Sequence, residues 1–140
     1  MNVLIVTGLS GAGKTRTLQI LEDMGYYCVD NISPRILLPL VQGEMKEEGF
    51  SGRMAVTMDI RSYGITSGLD PIAEQLRESN IGVRILFLDC SQQVLLKRYK
   101  ETRRLHPLMG ANPDMSLTEA ICEEIRRMDG LKNEADYVID

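Results

Sequence analysis

Short apolar runs alternate along this chain with longer stretches whose apolar positions recur every three or four residues. The first run, Val3-Leu4-Ile5-Val6, predicts a strand over 2–7. Thr17-Leu18-Gln19-Ile20-Leu21 opens a helix that runs to about Met24 and closes at Gly25, a natural C-cap residue. Tyr26-Tyr27-Cys28-Val29 reads as a second strand. Ser33 then offers an N-cap and Pro34 a first helical position, for a helix reaching about Glu48 and closed by Gly49. A strand at 54–58 ends at Asp59, and Asp70-Pro71 opens a helix with Ile72, Ala73 and Leu76 on one face. Val83 to Leu88 is a strand ending at Asp89, which the pattern reads as the cap of the next helix. Ser91 also caps that helix, which runs through Thr102. Ser116-Leu117-Thr118-Glu119 is a capping box. It precedes the clearest amphipathic stripe, Leu117, Ala120, Ile121, Ile125, Met128 and Leu131. A last strand covers 135–139.

Strands this short and apolar, separated by helices, predict an α/β fold: a parallel five-stranded sheet between helical layers, αβα. Residues 103–115 hold two prolines, a glycine and the one histidine without periodicity. They read as a long loop, and long loops in compact domains tend to be lids. The 140 residues suit one domain spanning 1–140. An end at Asp140, directly after a strand and with no closing helix over that sheet edge, predicts a fragment of a longer protein.

Hydrophobic residues make up 44% and charged residues 26%, with a formal net charge of −4. That balance excludes a polybasic nucleic-acid binder, so any polyanion site must be a local patch. No apolar stretch approaches the ~20 residues of a membrane span, and the N-terminus lacks a basic leader, so a cytoplasmic location is expected. Cys28, Cys90 and Cys122 are widely spaced and read as buried small hydrophobes.

The chemistry is concentrated at residues 8–15. Gly8, Leu9, Ser10, Gly11, Ala12, Gly13, Lys14 and Thr15 satisfy the phosphate-loop pattern GxxxxGK[ST] between a strand and a helix. The glycines allow successive amides to turn inward toward a phosphate, and the helix N-terminus adds positive potential. Lys14 is expected to reach the β- and γ-phosphates of ATP or GTP, and the Thr15 hydroxyl to ligate Mg²⁺. Asp59, directly after the third strand, is the expected second magnesium element. It is followed by Ile60, Arg61 and Ser62, with Arg61 placed to meet an anion. Asp30 and Asn31, after the second strand, are read either as contacts to a second substrate or as plain turn residues. Lys97 to His106 carries five cations and one anion, and Arg103 and Arg104 are its expected catalytic arginines, closing over the triphosphate. A solvated basic helix end and an RNA-backbone patch are the competing readings. No NKxD or DxxG motif is present, which disfavours a Ras-type GTPase.

GLSGAGKT at 8–15, LEDMGYYCVDN at 21–31, MDIRS at 58–62, FLDC at 87–90 and YKETRRLHPL at 99–108 together resemble the RapZ/YvcJ proteins. The resemblance spans all 140 residues. It implies a P-loop domain that binds and slowly hydrolyses ATP and GTP, within an RNase adapter that engages small RNA and a ribonuclease. It also implies a C-terminal domain carrying much of the RNA recognition. The family assigns ATP to 8–15 and GTP to Asp59–Ser62. A carboxylate repels phosphate, so a magnesium-mediated role for Asp59 in the same nucleotide site is the physically consistent reading. A homo-oligomer is left open, and no membrane partner is expected. The fold further resembles adenylate-kinase-type enzymes with a lid, which keeps a γ-phosphoryl-transferring small-molecule kinase as the alternative.

Overall fold

The computed structural model describes residues 1–58 and 69–140. Its elements, in chain order, are β1 (Asn2–Gly8), α1 (Lys14–Asp23), β2 (Tyr27–Ile32), α2 (Pro34–Met45), β3 (Arg53–Met58) and α3 (Asp70–Glu78). They continue with β4 (Gly82–Leu88), α4 (Gln92–Thr102), α5 (Pro107–Ala111), α6 (Leu117–Glu134) and β5 (Tyr137–Ile139). The strands form one five-stranded sheet in the order β2-β3-β1-β4-β5, every pair parallel. This is the α/β architecture expected from the pattern. β1 sits at the centre, Ile5 pairing with Val56 on one side and Ile85 on the other.

Successive side chains of a strand point to opposite faces, and the two faces are covered unequally. Val3 and Ile5 enter the larger cluster, with Leu37 and Val41 of α2, Leu76 of α3, and Ile121 and Met128 of α6. Val6, Ala55, Leu86 and Leu88 pack on the other face against Leu18 and Leu21 of α1. No helix among the described residues is long and apolar enough to cross a membrane.

Several local expectations change. β2 runs on through Asp30 and Asn31, with an irregular register between Val29 and Ile32 and Asn31 at φ 57°. Asparagine tolerates that left-handed geometry, and the Thr57 hydroxyl accepts the Asn31 N–H at 2.7 Å, so the strand survives the kink. The loop expected over 103–115 contains α5, because the His106 ring caps it by accepting the Leu108 N–H at 3.1 Å and Pro107 takes its first position. Asp89 does not cap α4. Ser91 does so, accepting the Val94 N–H at 3.3 Å, while Asp89 bonds the Cys90 N–H and the Lys132 ammonium. The cysteines are not buried: Cys28 and Cys90 are half-buried and Cys122 is exposed. Partial burial, reinforced by Glu22, nevertheless pushes the Cys28 thiol above its ordinary range.

Candidate functional site

The loop after β1 opens at the carboxyl end of the central strand, where the sheet order changes direction and ligands of open α/β sheets collect. Gly8, Gly11 and Gly13 all take positive φ, at 139°, 89° and 102°. Two of them also yield space. A Cβ on Gly8 would lie 2.2 Å from the Leu88 carbonyl oxygen, and one on Gly11 would lie 3.2 Å from the Tyr99 ring. The Ala12 N–H closes the turn onto Leu9 O at 3.0 Å. Lys14 curls back and donates to Gly8 O at 3.0 Å, which places its ammonium over the loop. Thr17 anchors the first turn of α1 on Gly13 O at 2.9 Å.

The Thr15 hydroxyl donates to Asp30 Oδ2 at 3.1 Å. The other Asp30 oxygen accepts from the Thr57 hydroxyl. A carboxylate at the end of β2 is thus held beside the hydroxyl expected to meet a metal. Both groups are hard oxygen donors, the set magnesium prefers. No cluster of three or more His, Cys, Asp or Glu able to hold a metal alone occurs among the described residues. Magnesium here would need phosphate oxygens to complete its shell, its usual mode with nucleotides.

A cleft of about 580 Å³ lies over the loop, bounded by Gly11, Lys14 and Thr15 below and by Arg98, Arg104 and Leu105 above. That volume is in the range of small-molecule sites. Arg98 donates to Gly11 O at 2.8 Å and so ties α4 to the phosphate loop. Arg103 ends α4 at φ 54°, exposed, and is not among the residues lining the cleft; Arg104 is. Lys97 is exposed and pairs with Glu101 at 4.0 Å. The basic stretch therefore divides, with Arg98 and Arg104 turned to the cleft and Lys97 outward. Asp59, Ile60, Arg61 and Ser62 lie outside the described residues.

Beneath the loop is an arrangement the sequence reading passed over. Glu124 of α6, 1% exposed, accepts the Ser10 N–H at 2.5 Å. Its second oxygen faces Nε2 of His106, itself fully buried, at 3.3 Å. Tyr99 completes the group, its ring centroid 5.2 Å from that of His106. Burial and the nearby Glu124 charge push the Tyr99 hydroxyl up to about 12, so it stays protonated.

The family described as the RapZ-like N-terminal domain matches residues 1–140. The chain belongs to that family. Its relatives include nucleotide-binding proteins of Syntrophomonas wolfei, 41% identical, and Clostridium perfringens, 43% identical, each matched over all of this chain. These matches cover 46% and 47% of the two relatives, so the chain spans about half the length of the curated relatives it matches. Among solved structures, shikimate kinase of Bacteroides thetaiotaomicron has a TM-score of 0.61 at 19% identity, over 99% of this chain and 85% of that one. Shikimate kinase of Acinetobacter baumannii, in complex with shikimate, has a TM-score of 0.58 at 19% identity, over 99% and 82%. The second pair shares the fold of this RapZ-like domain: a kinase-like P-loop architecture.

Signals for the missed residues were present but weak. Glu124 falls in register with Ile121 and Met128 on the apolar stripe of α6, where a carboxylate needs a buried partner. The spatial meeting of Thr15 with Asp30 has no counterpart in local spacing.

Proposed function

We propose that this domain binds ATP or GTP with Mg²⁺ at the loop of residues 8–15 and serves as a slow nucleotide-hydrolysing switch within an RNase-adapter-type protein. The observation that carries the nucleotide reading is the loop itself: three left-handed glycines, Lys14 over the loop, and Thr15 beside a held carboxylate. The family membership and the relatives' description as nucleotide-binding proteins support it. Lys14 and Arg104 supply positive charge toward the phosphates, the Thr15 hydroxyl and Asp30 the oxygen donors for the cation. The magnesium, when bound, draws charge off the phosphate oxygens. Asp30 stands beside Thr15, and Asp59, the expected second magnesium element, lies outside the described residues.

Calorimetric titration of ATP and GTP, with and without Mg²⁺, tests this reading. Lys14→Ala is expected to weaken binding about a hundredfold, as for loss of a charge-assisted donor. Equal affinity in the two proteins rules the site out. Asp30→Asn is expected to keep metal-free binding and to lose most of the gain that Mg²⁺ brings.

The second reading is a small-molecule kinase, with Asp30 and Asn31 near the acceptor. The observation favouring it is that Asp30 stands between Thr15 and the kinked end of β2. A metabolite-pool screen with ATP and Mg²⁺ separates the two. Phosphorylation of one metabolite favours the kinase, and phosphate release alone favours the switch. Small RNA and a ribonuclease remain proposed partners of the whole protein, read by electrophoretic shift at two salt concentrations.

A further inference from the structure

Two titratable side chains in the described core have no role in the nucleotide chemistry above, and they face each other. Glu124 and His106 are the buried carboxylate and imidazole of the described core, at 1% and 0% exposure. Burying a carboxylate is costly unless each oxygen is engaged. One Glu124 oxygen is engaged at the apex of the phosphate loop, on the Ser10 N–H. The other stands 3.3 Å from His106 Nε2, an ion-pair contact, and neither of those two atoms makes a hydrogen bond among the described residues. The His106 tautomer follows from its cap. Nδ1 accepts the Leu108 N–H, so in the neutral ring the proton belongs on Nε2, the nitrogen nearest the carboxylate.

The connectivity runs between two parts of the cleft. Ser10 belongs to its floor, while His106 starts α5 between Leu105 and Pro107, which line its upper wall with Arg104. Tyr99 wedges the junction, its ring centroid 5.2 Å from that of His106 and its ring filling the space a Cβ on Gly11 would enter, within the field of Glu124 and Arg104.

We propose that Glu124 and His106 are positioning residues of the nucleotide site: a buried strut joining the apex of the phosphate loop to the wall that carries Arg104. Neither touches the phosphates. Together they fix how far the amides of residues 10–13 stand from the arginine above them. The proposal rests on the nucleotide reading of the loop.

A plain field effect has the opposite sign. Removing a carboxylate near a polyanion site should tighten phosphate binding, whereas loosening the strut should weaken it. The experiment uses the full-length protein with Glu124→Gln, His106→Asn and the double variant. His106→Asn retains a side-chain acceptor suited to capping α5. The probes are Mg²⁺-ATP and inorganic tripolyphosphate, measured by calorimetry, with amide exchange followed in peptides spanning 8–13 and 105–111. Each single variant is expected to bind both probes about tenfold more weakly and to speed exchange in both peptides, including the one it does not alter. The double variant should be no weaker than the worse single, as for residues acting as one unit. Unchanged or tighter binding in Glu124→Gln, additive losses in the double, or exchange changes confined to the altered segment would each overturn the strut. Should Glu124→Gln melt, His106→Asn alone still reads the distant 8–13 peptide. If wild type and Lys14→Ala bind tripolyphosphate equally, the nucleotide reading fails instead, and the exchange between the two peptides still decides whether the strut exists.

Discussion

At Gly8 the backbone leaves no room for a side chain. A Cβ there would sit 2.2 Å from Leu88 O, and φ is 139°. The obstruction is backbone on a central strand, so it cannot swing aside. Gly8→Ala is expected to cost about 2–4 kcal/mol, read as a lower urea midpoint. Gly130 is the converse, a helical glycine in α6 with open space where a Cβ would go. Gly130→Ala should raise stability by about 0.5–1 kcal/mol in the same assay. The motif pattern alone treats Gly8 as a turn requirement. Only the packing of β1 beside β4 adds the reason that alanine is excluded even before strain is counted.

Among the elements, the link between the end of β4 and α6 gives a pH-dependent test. Lys132 donates to Asp89 at 2.7 Å, and this bond, aided by the Cys90 N–H, holds the Asp89 carboxyl below its ordinary value of 3.8. A carboxyl lowered in the folded state stabilises the fold above its unfolded value. That contribution is lost as pH falls below about 3.8 and through the folded value. The Lys132 ammonium is raised above 10.5 by the same partner, so its share persists below that pH and is lost as pH rises beyond it. Lys132 is 42% exposed, so solvent screens the pair and its contribution is modest. Thermal melts of Asp89→Asn should therefore fall below wild type at neutral pH and converge with it as pH drops below about 3.8 and through the lowered folded value. Equal melting temperatures at pH 7 would count against the pair. The elements themselves were largely legible, because apolar spacing reports strand and helix directly. α5 was not: its cap is a histidine ring, outside the usual Ser, Thr, Asp and Asn set.

For the whole molecule, unequal coverage of the sheet governs where substitutions hurt. Leu37 on α2 is fully buried in the larger cluster, and Leu37→Ala is expected to cost about 2–5 kcal/mol. Val138 on β5 is 45% exposed at the sheet edge, and Val138→Ser should change stability by less than about 1 kcal/mol. Denaturant midpoints of the two variants make the comparison. The order β2-β3-β1-β4-β5 puts the phosphate loop at the middle of the sheet, flanked by the ends of β3 and β4. It also brings Asp30, fifteen residues from Thr15, to that residue's hydroxyl.

Alternating apolar runs and the eight residues from Gly8 to Thr15 determined, without coordinates, an α/β domain with a phosphate loop after its first strand. Both are local: strand and helix periods are written in neighbouring residues, and a glycine pattern encodes its own turn. The tertiary structure decided which distant residues meet that loop. Asp30 rather than a turn cap stands at Thr15, Arg98 reaches Gly11, and Glu124 with His106 lies beneath Ser10. Such meetings depend on strand order and helix placement, which carry no spacing signal along the chain.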